Sequence, residues 1–376
     1  MNPQGSFPKE LLLQPLSNRI AYFRDYTIAH PKLIEADQKL MQAIREPGGI
    51  ALIFVFGPTG VGKSTLLRRV TQKLLQEALP LMDKDKGYIP IAGVEIKTPE
   101  NSNFDWNDFY VRALMALEEP MIDKKINRTG VQLKLRLALE SALRNRRPDA
   151  FYVDEAQNFG KVASGRKLQD QTDCIKSLAN LAQTRFILCG IYEILPLRNL
   201  SGQLCRRNLS IHFPRYLADS AQDLKAFKSA LLTLQNHLPL LEPPDLLGHW
   251  EFCYEQSIGC IGILKDLLLR SLSADLERNG DRTVTLTLKD LEKRAWSLEE
   301  CLVMLREAKE GEQQLANQSG LHGELRTALG LSTATSKKSD QSGQTSDKTS
   351  NSRKAGSVGK PSPRRRAVGA DQDASQ

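Results

Sequence analysis

Apolar and polar residues follow two alternating patterns along the first 220 positions of the chain. Short apolar runs, typical of buried strands, alternate with longer stretches in which apolar residues recur every three or four positions, as on one face of a helix. The predicted strands are 52–56, 88–96, 150–155 and 185–189. The predicted helices are 31–45, 104–117, 129–145 and 167–183, together with one whose first part is 65–75. Because strands that alternate with helices usually pair in parallel under helices on both faces, we expect an α/β domain with a parallel sheet.

The pattern changes beyond residue 220, where no further strand is predicted. The amphipathic pieces LKAFKSALLTLQ, LKDLLLRSLSADLE and LKDLEKRAW follow one another up to about residue 306. Each places its apolar residues on one face at helical spacing. We therefore expect an N-terminal extension and helix at 1–45, an α/β core at 46–219, an all-helical lid at 220–315 and a tail at 316–376.

Charge and composition single out the C-terminal tail. From residue 321 onward it carries ten Lys and Arg against five Asp and Glu, so most of the chain's net charge of +8 lies there. It is rich in Ser, Thr and Gly, and its few aliphatic residues beyond Leu331 cannot form a core. We expect a disordered basic tail that is either a functionless solvated extension, a docking segment for a protein partner or a weak nucleic-acid-binding arm.

Cysteine usage and hydropathy indicate an intracellular protein. The six cysteines form no C-x-x-C pair and show no metal spacing, so we expect reduced thiols, several of them in the core. The N-terminal MNPQGSFPKE lacks a charged region followed by an apolar run, and no apolar run reaches the roughly 18 residues of a membrane span. We expect a soluble cytoplasmic protein with no membrane contact.

The segment LIFVFGPTGVGKSTL places a phosphate-binding loop between the predicted strand 52–56 and a helix. Its residues satisfy the P-loop pattern G-x-x-x-x-G-K-[ST]. Backbone N–H groups of such a loop, together with the start of the next helix, cradle phosphates. Lys63 is expected to bind the β- and γ-phosphates of ATP, and Ser64 to ligate Mg²⁺. The predicted nucleotide contacts are Gly57, Pro58, Thr59, Gly60, Val61, Gly62, Lys63, Ser64 and Thr65.

A pair of acids ends the predicted strand 150–155, which reads AFYVDE. Adjacent carboxylates at a strand end repel each other unless they share a cation, so the pair resembles the Walker B segment of P-loop proteins. We expect Asp154 to hold Mg²⁺ through its water shell. Glu155 is expected to act as the general base that activates water. Together with the P-loop, the pair predicts an ATPase that turns over.

An α/β P-loop core followed by a helical lid is the AAA+ arrangement. In that class the site lies between subunits, and an arginine from the neighbour stabilises charge on the transferring phosphate. Arg206 and Arg207 lie where this arginine is expected, with Arg207 preferred as a catalytic residue. An exposed basic pair with no catalytic role is the alternative.

Two expected sensor positions lack their usual residues. Many AAA+ proteins end the strand equivalent to 185–189 in a polar residue that positions water, but here Gly190 follows, leaving Tyr192 or Glu193 as candidates. The lid carries Ile263 where relatives can carry an arginine, with Lys265 as the nearest cation. Both departures predict slow hydrolysis, which suits a timer better than a motor.

Several segments resemble the AAA+ transposition regulators, the TnsC and TniB family of Tn7-like and CRISPR-associated transposons. These are RDYTIAHPKL at 24–33, GPTGVGKST in the P-loop, YVDEAQ at 152–157, FILCG at 186–190, CRRNLSIHFPRY at 205–216 and GCIGILKDLL at 259–268. They span about two thirds of the chain. The DEAQ form, the FPRY segment and the G-x-x-G lid helix point to this family, whereas the P-loop and the acids are shared by all AAA+ proteins.

The resemblance implies a bacterial protein whose ATP-bound subunits form a ring or helical filament around duplex DNA. Such a homo-oligomer would mark the target site and recruit or activate transposase subunits, with a separate adaptor protein selecting the target. The basic loop MIDKKINRTG places Lys124, Lys125, Arg128 and Thr129 together, with Lys134 and Arg136 on the following helix. These residues would contact phosphates without reading bases. A plain solvated surface is the alternative.

Two other functions remain open at this point. A signalling scaffold of the STAND-like type would use its nucleotide state to control protein assembly without nucleic acid, but leaves the basic loop and tail unexplained. A replication-initiator or clamp-loader ATPase would bind DNA without a transposase, but would normally carry a DNA-reading domain or a clearer sensor arginine. Neither of those features is found in the sequence.

Overall fold

The computed structural model describes residues 5–46, 49–98, 104–120, 131–161, 168–198, 208–280, 283–316 and 321–331. Its sheet has five parallel strands in the order β2-β3-β4-β1-β5. They are β1 (Leu52–Phe56), β2 (Ile91–Glu95), β3 (Ala150–Asp154), β4 (Arg185–Gly190) and β5 (Asn208–His212). The predicted α/β architecture is therefore confirmed. The sequence patterns missed β5, a partly exposed edge strand with only two apolar residues.

The helices follow in chain order. They are α1 (Leu16–Asp25), α2 (Pro31–Arg45), α3 (Lys63–Lys84), α4 (Trp106–Ala116), α5 (Val131–Arg146), α6 (Leu168–Ala182), α7 (Leu195–Arg198), α8 (Ala221–His237), α9 (Trp250–Ser257), α10 (Ile261–Asn279), α11 (Leu288–Glu292), α12 (Leu298–Ala316) and α13 (Leu321–Ala328). Short 3-10 turns occupy Lys9–Leu13, Ala156–Gly160 and Tyr192–Ile194. None of the described helices has the length and apolarity needed to cross a bilayer.

Helices cover both faces of the sheet, and β1 shows why. All of its side chains are buried, which explains its continuous apolar run. Phe54 and Phe56 belong to a core that α4, α5 and α6 complete. Ile53 and Val55 point to the other face and pack with α2 and α3. The carboxyl ends of the parallel strands share one edge, which is where such sheets place ligands.

The two N-terminal helices pack on different cores. Phe23 of α1 is fully buried in the lid core with residues of α8 and α10. Arg19 of α1 donates two hydrogen bonds to the carbonyl oxygen of Pro239, at 3.0 and 2.7 Å. Leu40 of α2 instead packs against the sheet. The segment between α1 and α2 therefore crosses from the lid to the α/β core.

The C-terminal part of the chain is described as far as residue 331. Helix α13 has exposed apolar residues, including Leu325 and Leu329. The remainder of the predicted tail, with the sequence KPSPRRR, lies outside the described residues. Its proposed roles stay predictions.

Candidate nucleotide-binding site

The P-loop, residues 57–64, connects β1 to α3 at the carboxyl edge of the sheet. A Cβ atom on Gly57 would lie 2.0 Å from the carbonyl oxygen of Phe213, so only glycine fits beside the chain that leaves β5. Gly62 has a φ of +112° and stands directly before α3, a backbone geometry that favours glycine. The loop is thus held tightly while α3 directs its positive N-terminal end toward it.

Lys63 begins α3 and is only 8% exposed. Its Nζ atom donates hydrogen bonds to the carbonyl oxygens of Gly57 and Pro58, at 3.1 and 2.9 Å. Burial lowers the pKa of Lys63, while the nearby thiols and the carboxylates of Glu155 and Asp154 oppose that shift. The ammonium group is therefore fixed over the loop that would receive phosphates.

Ser64 and Asp154 meet across the site. Ser64 Oγ donates a hydrogen bond to Asp154 Oδ2 over 2.8 Å. Hydroxyl and carboxylate oxygens are the ligands that Mg²⁺ prefers, and a Mg²⁺ bound by one or two protein groups keeps its other positions for water and phosphate. This donor set fits Mg²⁺ bound together with a nucleotide.

Glu155 has a strained backbone. Its φ of +55° lies in the left-handed region, which is uncommon for residues other than glycine and concentrates at functional sites. The backbone N–H of Glu155 donates to Asp154 Oδ1 at 3.0 Å, and Gln157 Nε2 donates to Glu155 Oε2. The sequence patterns gave no role to Gln157. Its only signal was the DEAQ form of the motif.

The two sensor candidates that follow β4, Tyr192 and Glu193, lie in different surroundings. Tyr192 is buried, its hydroxyl lies 2.9 Å from His212 Nε2 on β5, and burial raises its pKa well above the usual range. Its ring lies against Gly311 of α12, where a Cβ atom would come within 2.1 Å. Glu193 lines a cavity of about 290 Å³ beside Pro58 and Thr59 of the P-loop, closed on its other side by α12.

The lid reaches the P-loop through the first turn of α10. A Cβ atom on Gly262 would lie 2.3 Å from the carbonyl oxygen of Gly60, and one on Gly60 would lie equally near the side chain of Ile263. The residue that meets the loop here is therefore apolar. Lys265 Nζ donates to the carbonyl oxygen of Arg24 at 2.6 Å, which holds this cation beside α1.

A small cavity of about 40 Å³ lies between the α1–α2 connection, the P-loop and α10. Among its lining residues, His30 caps α2, and its Nδ1 atom accepts from the N–H of Leu33 at 3.4 Å. The hydroxyl of Tyr216 lies 3.0 Å from the same nitrogen. Because His30 is buried and lies near Lys32, its pKa falls to about 4. His30 therefore lines this cavity, beside the P-loop.

The segment FPRY connects β5 to the lid and lies beside Gly57 of the P-loop. The backbone N–H of Tyr216 donates to the carbonyl oxygen of Gly259 in the lid at 2.9 Å. Arg215, 6% exposed, donates to both carboxylate oxygens of Glu312 on α12, at 2.8 and 3.1 Å. Burial alone would lower the pKa of Arg215, but Glu312 outweighs it and the pKa is raised. Arg215 therefore joins α12 to the segment that connects β5 to the lid.

Other predicted site residues fall outside the described ranges. These are the arginine-finger candidates Arg206 and Arg207 and the predicted DNA contacts Lys124, Lys125, Arg128 and Thr129. Arg136 on α5 is described, and it packs inward: its guanidinium donates to Glu140 Oε1 and to Ser177 Oγ, both at 3.1 Å. Its guanidinium is thus hydrogen-bonded to side chains of α5 and α6.

Comparison with known proteins agrees with this fold. Residues 48–197 match the family model of an AAA domain. The Aeropyrum pernix ORC1 protein, solved in complex with DNA, is 18% identical with a TM-score of 0.51, covering 77% of this chain and 69% of that one. Domain III of the Thermotoga maritima replication initiation protein DnaA is 16% identical with a TM-score of 0.41, covering 76% of this chain and 95% of that one.

A further solved structure, Drosophila ORC bound to DNA, is 13% identical with a TM-score of 0.43, covering 78% of this chain and 67% of that one. No curated protein matches the chain in sequence. The P-loop, the parallel sheet and the helical lid, together with the similarity of residues 48–197 to an AAA domain, show that the chain has the AAA+ fold.

Proposed function

We propose that this protein is an ATP-dependent switch that hydrolyses ATP slowly and assembles on duplex DNA. The observation that carries the nucleotide part is the meeting of Ser64 with Asp154 beside Lys63, at the carboxyl edge of the sheet. This geometry supports a site in which Lys63 binds phosphate and the two oxygens hold Mg²⁺.

The chain's own residues have distinct roles in the proposed hydrolysis. Lys63 binds the β- and γ-phosphates, and Ser64 with Asp154 would hold Mg²⁺, which would neutralise phosphate charge. The Glu155 carboxylate accepts a proton from water as the water oxygen attacks the γ-phosphorus. The bond from the γ-phosphorus to the bridging oxygen breaks, and ADP and phosphate leave.

Slow turnover is part of the proposal. Ile263 presents no charge to the P-loop, and Lys265 is bonded to Arg24 instead. Charge on the transferring phosphate would then be stabilised by an arginine from a neighbouring subunit, Arg207 or next Arg206. Full activity would require a homo-oligomer, either a ring or a filament.

DNA binding rests on the basic loop with Lys124, Lys125, Arg128 and Thr129, and it is supported by the similar fold of ORC1, which was solved with DNA. Repeated along an oligomer, a few cations per subunit would follow the phosphate backbone. The more specific proposal is regulation of transposition, with transposase subunits and a target-selection adaptor as partners. It rests on the DEAQ, FPRY and G-x-x-G segments.

A replication-initiator role is the second candidate, and the fold similarity to ORC1 favours it. Both candidates bind DNA, so DNA binding does not separate them. They differ in the reaction that each would promote. A transposition regulator should stimulate strand transfer by a transposase, whereas an initiator should melt a duplex origin segment and leave transposition unchanged.

Negative-stain electron microscopy tests the shared claim. Wild-type protein and Lys63→Ala would be imaged with and without duplex DNA, in ATP and in ADP. We expect wild-type rings or filaments only with ATP and DNA, and none for Lys63→Ala. Assembly with ATP regardless of DNA would overturn the DNA part and favour the signalling scaffold. Equal assembly in ADP would overturn the switch.

A further inference from the structure

Gln157 links the proposed catalytic base to the next strand. It lies in the turn Ala156–Gly160, two residues after Glu155. Its Nε2 atom donates to Glu155 Oε2, and its Oε1 atom accepts from the backbone N–H of Ile191 at 3.3 Å. One side chain therefore joins Glu155 to the chain that leaves β4.

The two contacts require a carboxamide. An ionised Glu155 only accepts hydrogen bonds, and the Ile191 N–H only donates. Rotating the amide by 180° would place its oxygen against the Glu155 carboxylate and its NH₂ group against the Ile191 N–H, and both contacts would be repulsive. The orientation is therefore fixed by its partners, and no other uncharged side chain of this length offers a donor and an acceptor.

Gly190 makes room for this amide. A Cβ atom at Gly190 would lie 2.5 Å from Gln157 Oε1 and 3.3 Å from the Gln157 backbone nitrogen. At this strand end many AAA+ proteins carry a polar sensor residue, whereas this chain carries glycine. The amide of Gln157 thus reaches the place that a side chain at position 190 would fill.

We propose that Gln157 is a positioning residue that supplies, from the Walker B side, the polar group missing at Gly190, and that it holds the Glu155 carboxylate for water activation. This inference rests on the proposed function, since it takes Glu155 as the base. A base displaced by about 1 Å loses up to roughly 100-fold in rate. The contact should therefore affect turnover more than binding.

Two substitutions separate the contacts. Gln157→Met keeps the length of the side chain and removes both hydrogen bonds. Gln157→Glu keeps an acceptor for Ile191 but cannot donate to Glu155 when ionised. Each variant would be compared with wild type for ATPase kcat and KM. Hydrogen exchange of the peptide containing Ile191 would be measured by mass spectrometry without nucleotide.

The expected results differ between the variants. Both should lower kcat roughly 10- to 100-fold, with KM changed less than about threefold. Exchange at Ile191 should rise about tenfold in Gln157→Met, because one hydrogen bond is lost, and stay near wild type in Gln157→Glu. Unchanged kcat in both would overturn the proposal, as would an increase in KM equal to the loss in kcat.

Gln171→Met provides the matched control. Gln171 is a buried amide that accepts from Trp106 Nε1 at 2.6 Å, between α4 and α6. The Gln171→Met variant should have a lower melting temperature but should not show the loss of kcat expected for the Gln157 variants. If wild type itself hydrolyses no ATP under any assembly condition, the proposed function fails. If wild type turns over and Gln157→Met matches it, only the positioning role fails.

Discussion

Ser64 and Asp154 are hydrogen-bonded over 2.8 Å although they lie 90 positions apart in the chain. The bond joins the first turn of α3 to the end of β3, so the phosphate loop and the acidic strand form one site. We expect Asp154→Asn and Ser64→Ala to weaken ATP binding about tenfold in Mg²⁺, since each removes a favourable metal ligand. Titration calorimetry with ATP would measure this.

The same two variants should bind ATP in EDTA nearly as tightly as wild type does, because the lost contact acts through Mg²⁺. Thr71→Ala, a hydroxyl change further along α3, is the control. An equal loss of affinity with and without Mg²⁺ would contradict the metal role.

Glu155→Gln should separate binding from turnover. The amide keeps the shape of the side chain but cannot accept a proton from water, so we expect kcat to fall about 100-fold or more while ATP affinity stays within about threefold. Single-turnover assays and calorimetry would measure the two quantities. Wild-type kcat in Glu155→Gln would show that another group is the base.

Breaking the Arg215–Glu312 ion pair should destabilise the fold by an amount that depends on which partner is replaced. The side chain of Arg215 is 7% exposed and that of Glu312 24%. Glu312→Leu leaves a buried guanidinium without its carboxylate, so we expect a loss of about 3 kcal/mol in the free energy of unfolding. Arg215→Met leaves a carboxylate that water can reach and should cost less.

Urea denaturation of both variants and of the double variant would complete a double-mutant cycle. We expect the double variant to be more stable than Glu312→Leu alone. Strict additivity of the two losses would contradict a direct contribution from the pair.

His30 should make stability depend on pH. Its pKa is about 4 in the folded protein and near 6.5 when unfolded, so the unfolded chain binds more protons between these values. Its contribution is complete above the unfolded pKa and is lost as pH falls toward 4. Between pH 8 and pH 5 we expect His30 to account for about 2 kcal/mol of lost stability.

Urea denaturation at both pH values would compare wild type with His30→Gln, whose loss over this range should be smaller by that amount. The same substitution at the exposed His249 is the control. An identical pH dependence in wild type and His30→Gln would show that His30 does not carry the effect.

Charge reversal in the basic loop should weaken DNA binding. Lys125→Glu with Arg128→Glu replaces two predicted phosphate contacts. The plot of log affinity against log salt concentration should therefore become less steep, by the equivalent of about two phosphate contacts per subunit. Fluorescence anisotropy with duplex DNA at several salt concentrations would measure it. Lys84→Glu with Lys86→Glu makes the same charge change at the exposed end of α3 and in the turn after it, and should have less effect.

The sequence predicted the four strands whose residues are mostly buried and missed β5, where most residues are not. The runs in β1, β3 and β4 are continuous because helices cover both of their faces. In β5 only Ile211 is buried, so NLSIH has no strand pattern. The predicted strand 88–96 begins at Ile91 instead, directly after Pro90, which has no N–H for a strand pairing.

The same distinction applies to the site, where local motifs could be predicted but contacts between distant residues could not. The P-loop and the acidic pair are contiguous motifs, so their chemistry could be predicted from local sequence. Gln157 and Ile191 are 34 positions apart, and Arg215 and Glu312 are 97 apart. No periodicity indicates such pairs, because the fold alone brings them together. The contact of Arg136 with Ser177 could not be recognised for the same reason.

The central claim is that ATP controls the affinity of this protein for duplex DNA. A ligand shifts such an equilibrium only if it binds one state more tightly than the other. The direct test is the anisotropy of labelled duplex DNA titrated with wild type and Lys63→Ala at fixed salt, in ATP and in ADP. We expect wild type to bind about tenfold more tightly in ATP, and Lys63→Ala to show no difference. Equal affinity of wild type in both nucleotides would contradict the claim.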